Sequence, residues 1–197
     1  MKIAITGITG HIGNNVARAL STNGHSIKAL AKNTQAKSIQ DIDAQYISGD
    51  LFNTAALDTL IEDVSTVIHI AGKISMHSKD RDEIYKVNIE GVNSVIEACK
   101  RNKVKKIIHF SSIHAHIPLG LDHAMNESTP YIIEEDIAYD YSKSIGEQLM
   151  LNARSHGIDV SIVNPTAVIG PNDFAPSLSG KMMMDVYTGK LRSLVKG

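Results

Sequence analysis

"TGITGHIG", residues Thr6 to Gly13, follows the apolar run Lys2–Thr6 and opens a segment with Ile12, Val16 and Leu20 at four-residue spacing. A strand, a glycine-rich turn and a helix start, in that order, decide the fold. Gly7, Gly10 and Gly13 are spaced G-x-x-G-x-x-G. Glycines let the backbone turn tightly and come close to a pyrophosphate, whose charge then sits at the helix N-terminus. Thr6, Gly7, Thr9, Gly10, His11, Ile12 and Gly13 are therefore candidate cofactor-binding residues. A ligand-free turn of the same composition is the simpler alternative, and the strand and helix on either side weigh against it.

Outward from this turn, short β-rich apolar runs alternate with longer helical patterns. Strands are predicted over Lys2–Thr6, Ser26–Ala31, Ala44–Ser48, Thr66–Ile70, Lys106–Phe110 and Val160–Asn164, and helices over 12–23, 54–62, 81–102 and 138–156. Alternation of this kind with apolar strands implies a parallel sheet covered on both faces. Right-handed crossovers then give a doubly wound, Rossmann-type three-layer α/β sandwich. The tail from Gly180 to Gly197 reads as one more short helix, with Met182, Met183 and Met184 expected to pack.

At 197 residues and a net charge of −1, the chain suits one well-packed domain and carries no excess charge of either sign. Nothing in that balance calls for nucleic acid or an anionic membrane surface. Lys100, Arg101, Lys103, Lys105 and Lys106 form the strongest basic cluster, which reads as cations at a helix C-terminus. Cys99 is the only cysteine, consistent with a reducing cytoplasm, and its place beside Val95 and Ile96 gives it a packing role. His114 and His116 are the only close histidine pair and lack the spacing of a metal site, so no metal is expected.

Four further motifs lie at the predicted strand ends. Ala31 stands where an NAD-selective site usually places an acid, and Lys32 follows it. A lysine there can neutralise a 2′-phosphate, which favours NADP and leaves NAD open; a merely solvated charge is the alternative. Asp50 can accept a bond from an adenine amino group, with Leu51 against the ring. An isolated acid here could also cap the helix near Asn53, but its place beside the expected adenine pocket favours the adenine contact. Ala71 and Gly72 are small enough for a cofactor to lie across the strand ends, and Asn88 is a polar amide on a packed helix. Finally, Ser111 and Ser112 close the fifth strand, while Tyr139 and Lys143 are i and i+4 on one helix, with Tyr141 facing away. Tyrosine is a poor acid or base near neutrality, an ammonium beside it favours the phenolate, and a serine hydroxyl can hold a carbonyl oxygen. Tyr-x-x-x-Lys also arises by chance on amphipathic helices, so this spacing decides nothing alone.

Taken together, the glycine turn, Asn88, the paired serines and Tyr139-x-x-x-Lys143 resemble the extended branch of the short-chain dehydrogenase/reductase superfamily. "FSSIHAH", "YDYSKSIGE" and "IVNPTAVIGPNDFAPS" are similar to dihydroflavonol-reductase-like members of its NAD-dependent epimerase/dehydratase group. The resemblance implies Tyr139 as general acid/base, Lys143 lowering the Tyr139 pKa and binding the nicotinamide ribose, and Ser112 polarising the carbonyl. By the family's pattern it selects Ser112 over Ser111. It also implies Asn88 in a proton relay, and Pro165, Thr166 and Val168 along the nicotinamide pocket. The expected activity is NADP-dependent hydride transfer to or from a small-molecule carbonyl or alcohol, with homodimerisation as in relatives. Residues 1–175 would be the dinucleotide-binding domain and 176–197 the start of a C-terminal substrate region, since extended members continue further. A non-catalytic NAD(P)-binding or redox-sensing module and a nucleotide-sugar epimerase or dehydratase are the competing readings.

Overall fold

A computed structural model describes residues 1–120 and 123–190. Six strands, β1 (Lys2–Thr6), β2 (Ser26–Ala31), β3 (Gln45–Ser48), β4 (Thr66–His69), β5 (Lys106–Phe110) and β6 (Asp159–Val163), form one sheet in the order β3-β2-β1-β4-β5-β6. Every pairing is parallel. All six strand C-termini therefore lie along one edge, and the order reverses between β1 and β4, where open α/β sheets form their binding crevice. The predicted doubly wound fold is the observed one, with strand ends moved by one residue at β3, β4 and β6.

Alternation along the strands builds two cores. On one face Ala4, Leu30, Val67 and Ile107 pack with residues of α2 (Thr54–Ile61) and with Val95, Ile96, Cys99 and Met150. On the other, Ile3, Ile5, Ala29 and Ile68 meet Ala17 of α1 (His11–Thr22). Successive strand residues point to opposite faces, so near-continuous apolar strands require helices on both sides. Cys99 is fully buried in the first core, and burial pushes its thiol up to about 12, as befits a packing residue. Lys28 is buried on β2 because its ammonium meets the free carbonyls of Thr59 and Glu62 where α2 ends.

The predicted 81–102 helix is real but interrupted. α3 (Arg81–Tyr85) and α4 (Gly91–Arg101) are joined by a π-helical turn over Lys86–Glu90 that carries Asn88. Of the basic cluster, Lys100 and Arg101 end α4, paired with Glu97 and Asp58, while Lys106 opens β5 and pairs with Asp159 at the start of β6. α5 (Ala138–Asn152) continues as a 3-10 turn to His156, and α6 spans Leu178–Tyr187. Packing of the methionine triplet is not observed. Met182, Met183 and Met184 are each about half exposed, because no residue of α6 is buried by the described chain. The end of the predicted tail helix, 191–197, lies outside the described residues. No described helix is long and apolar enough to cross a membrane.

Candidate active site

Each glycine of the opening turn has a separate physical reason. Gly7 has φ +80°, and a Cβ there would stand 2.5 Å from the Ala71 nitrogen at the end of β4. At Gly13 a Cβ would stand 2.0 Å from the Gly7 carbonyl oxygen, so α1 can start this close to the turn only without a side chain. Gly10 is different: its nearest neighbour would be the Gly7 oxygen at 3.4 Å, and it is exposed. Gly10 is also the N-cap of α1, with no side chain capping the helix and no acid in its first turn. Those N–H groups and the helix dipole are thus left for an anion from outside the helix.

The loop after β6 straps this turn down. His11 Nε2 and Asn15 Nδ2 both bond the Pro171 carbonyl at 3.0 Å, and Asn14 Nδ2 donates to the Asn172 carbonyl at 3.1 Å. His11 thereby commits its Nε2 to the loop.

At the neighbouring strand ends the sheet brings Ser112, Tyr139, Lys143 and Asn88 together. Tyr139 and Lys143 share the buried face of α5. The Ser112 hydroxyl accepts from the His114 backbone N–H at 3.2 Å and lies close enough to the Tyr139 phenol to pull its pKa down. Ser111 is tied to β6 by its own N–H, which donates to Val163 at 2.8 Å. Lys143 Nζ donates to the Phe110 carbonyl at 3.2 Å. A Cβ on Gly72 would lie 3.4 Å from both Lys143 Nζ and Asn88 Oδ1, so these three groups meet at one point.

Asn88 is fully occupied: Oδ1 accepts from Lys73 N–H at 2.8 Å, and Nδ2 donates to the Lys73 carbonyl and to Ser142 Oγ, both at 3.0 Å. The π turn makes room for this by breaking the regular ladder, a device common at functional sites. α5 can approach it because position 146 is glycine; a Cβ there would stand 2.6 Å from the Asn88 carbonyl oxygen.

Residues 3–195 match the NAD dependent epimerase/dehydratase family. The chain belongs to that family.

Among its relatives, sterol demethylase protein B of Methylococcus capsulatus is 31% identical over the whole of this chain and 60% of its own length. A 2-alkyl-3-oxoalkanoate reductase of Shewanella oneidensis is 27% identical over 95% of this chain and 49% of its own. The crystal structure of gox2253 superposes with a TM-score of 0.84 at 31% identity, covering 97% of this chain and 58% of that one. The chain thus spans about half to three-fifths of the length of these relatives.

Several expectations for this epimerase/dehydratase-family chain need correction. Leu51 does not offer its side chain to a ring: it is 6% exposed and fills the notch at Gly91 in the core. The alternative for Asp50, capping α2, is ruled out because Asn53 takes that role, its Oδ1 accepting from Ala56 N–H at 3.0 Å. Instead Asp50 folds its own loop, accepting from Phe52 N–H at 2.9 Å, and stays half-buried. Lys143 is not found lowering the Tyr139 pKa. Burial raises the phenol, Ser112 opposes this, and Asp140 adds to it. Lys143 is itself desolvated, its pKa pushed down to about 8, with Glu147 acting against that.

The remaining candidate positions lie just beyond the strand ends. Lys32 is exposed just past β2, and Ala71 is half-buried just past β4. Pro165 accepts from Ile113 N–H at 3.2 Å, which brings its segment beside Ser112; Thr166 is exposed and Val168 half-buried. Tyr141 packs towards Tyr85, ring centroids 6.1 Å apart.

The sequence reading missed the histidines under the site. His69 and His109 stack at 5.2 Å on adjacent strands, and Thr6 Oγ1 meets His69 Nδ1 at 2.6 Å. Burial pushes His69 down to about 3 and His109 well below its ordinary value, so both stay neutral at physiological pH. Thr6 therefore serves the sheet end, where it also accepts weakly from Ala71 N–H at 3.4 Å. The available signal was a polar ring at fully apolar strand positions. His114 and His116 part company: His114 Nδ1 lies 3.1 Å from Asp140, and His116 Nδ1 is 3.0 Å from the Thr129 carbonyl.

Proposed function

We propose that this chain is the cofactor-binding and proton-transferring part of an NADP-dependent reductase acting on a small-molecule carbonyl. The observation that carries the reading is the meeting of Ser112, Tyr139 and Lys143 at the same sheet edge as the Gly7–Gly13 turn. The turn's Cβ-free cradle and uncapped helix start suit a pyrophosphate, with Gly72, Pro165, Thr166 and Val168 towards the nicotinamide and Lys143 on its ribose. Bound there, the cofactor supplies the hydride. Ser112 accepts from the His114 N–H, so its own proton is free for the substrate carbonyl oxygen. Tyr139, kept protonated by burial, gives its proton to that oxygen as charge develops there. Asn88 acts by position, holding the Gly72–Lys73 corner and α5 at a fixed spacing around Lys143. The reductase names carried by relatives such as the Shewanella protein support this reading.

Fluorescence titration with NADPH, followed by turnover on a panel of ketones, aldehydes and nucleotide sugars, tests it. Turnover of ketones supports the reductase, and conversion of a nucleotide sugar the epimerase reading. Tight NADPH binding without any turnover favours a non-catalytic binding module.

Two expected results follow from single lysines. Lys32→Met is expected to weaken NADPH binding about tenfold and leave NADH binding unchanged, because one charge-assisted bond to the 2′-phosphate is lost. Isothermal titration with both cofactors checks this. The Lys143 ammonium is the form that binds ribose hydroxyls as a donor. Since Lys143 loses its proton near pH 8 in the free protein, NADPH affinity should fall as pH rises through about 8. The slope should reach at most about tenfold per pH unit. A Lys143→Met protein should lack this limb.

A further inference from the structure

α5 carries a second ionisable residue one turn beyond Lys143. Glu147 is 4% exposed, and a carboxylate is rarely buried unless it is paired and hydrogen-bonded. Here it is. Tyr131 donates its hydroxyl to Oε1 at 3.0 Å, Asn164 Nδ2 donates to Oε2 at 2.8 Å, and His116 Nε2 lies 3.3 Å from Oε1. Tyr131 is stacked on His116 at 4.6 Å, and an antiparallel bridge links the backbones of the two residues. Asn164, at the end of β6, also donates to the Ser112 backbone carbonyl at 3.0 Å. One carboxylate thus ties α5, the segment after β5 and the end of β6 to the backbone of the serine beside Tyr139.

We infer that Glu147 is a positioning residue of this site, serving as the buried counter-charge of Lys143 and, through Asn164, as the strut that fixes Ser112. The inference rests on the proposed roles of Lys143 and Ser112. Residues at i and i+4 share a helix face, and Glu147 and Lys143 are both on the buried face of α5. The groups that face Lys143 from other elements bring no second anion, and Asp140, three residues before it on α5, lies 3.1 Å from His114 Nδ1. His69 on β4 and His109 on β5 are neutral, Tyr139 is a protonated phenol, and Asn88 and the Phe110 carbonyl are uncharged. Glu147 is the group that favours the ammonium against its burial. An amide of the same shape would keep the volume and lose both the charge and an acceptor.

NMR titration of protein labelled with 13C at the lysine ε-carbon reads Lys143 directly, its signal assigned by loss in Lys143→Met. In Glu147→Gln the Lys143 titration is expected to move about one unit or more to lower pH, the effect of removing a nearby opposite charge. Tyr131→Phe removes one strap and no charge, and should leave it near the wild-type value. Glu147→Asp, which keeps the charge, should titrate close to wild type even if the glutamine protein does not fold. An unshifted Lys143 in folded Glu147→Gln overturns the inference, as does an equal shift in Tyr131→Phe or a shift of a unit in Glu147→Asp. NADPH titration of the same proteins separates the two levels. Absence of binding in wild type sinks the reductase reading, while Lys143 still reports whether Glu147 governs it.

Discussion

Replacing Tyr139 by phenylalanine is expected to lower carbonyl turnover about a thousandfold, within the range that a positioned proton donor supplies. The ring stays, so the packing of α5 against the end of β5 stays with it. Only the hydroxyl near Ser112 is lost, and a single such bond contributes about 1 kcal/mol to stability. NADPH binding and the melting temperature should therefore change little while turnover collapses. The raised Tyr139 pKa adds a direction: near neutrality the phenol holds its proton, which suits carbonyl reduction, and the reverse oxidation should need higher pH. Single-turnover rates with saturating NADPH, for wild type and Tyr139→Phe, check the first claim. Rates in both directions across pH check the second. Full turnover without the hydroxyl would remove Tyr139 from the chemistry.

The glycine turn should give the largest effect on stability, and its members should differ. Gly13→Ala places a methyl carbon 2.0 Å from the Gly7 carbonyl oxygen, a backbone atom that cannot swing away. The start of α1 must move, and overpacking of this severity costs about 3 kcal/mol or more. For a chain of this size that corresponds to a melting temperature about 10 °C lower. Gly10→Ala should do the opposite. Its φ of −79° suits alanine and its nearest contact is 3.4 Å, so stability should hold within about 1 kcal/mol. NADPH binding should nonetheless drop at least tenfold, because the methyl occupies the face where a phosphate must approach. Thermal melts and NADPH titrations of both proteins decide it. Equal behaviour of the two would mean that the turn is a packing element and nothing more.

Much of this architecture was legible locally. Strand and helix periods identified β1 to β6, α1 and α2 within a residue, because apolar repeats of two and 3.6 record which face each element buries. They missed the π turn between α3 and α4 and ran four residues past the end of α5. The spacing of Gly7, Gly10 and Gly13 marked the turn, and helical geometry picked Tyr139 over Tyr141 beside Lys143. Leu51 shows where local reading stops. Its position beside Asp50 suggested a ligand contact, yet the notch that takes its side chain is made by Gly91 on a distant helix. Asn88 is similar: its partners are the Lys73 backbone and Ser142, 15 and 54 residues away.

The sequence by itself determined a parallel, doubly wound sheet, a glycine turn built for close backbone approach, and a tyrosine and lysine on one helical face. The tyrosine–lysine pair depends on neighbours within one helical turn, and the sheet follows from local periods alternating along the whole chain. The tertiary structure decided the charges. Burial holds the Tyr139 proton on and drives Lys143 towards losing its own, His69 and His109 are held neutral, and Glu147 supplies the counter-charge. Desolvation depends on everything packed around a group, and that environment exists only once distant segments have met.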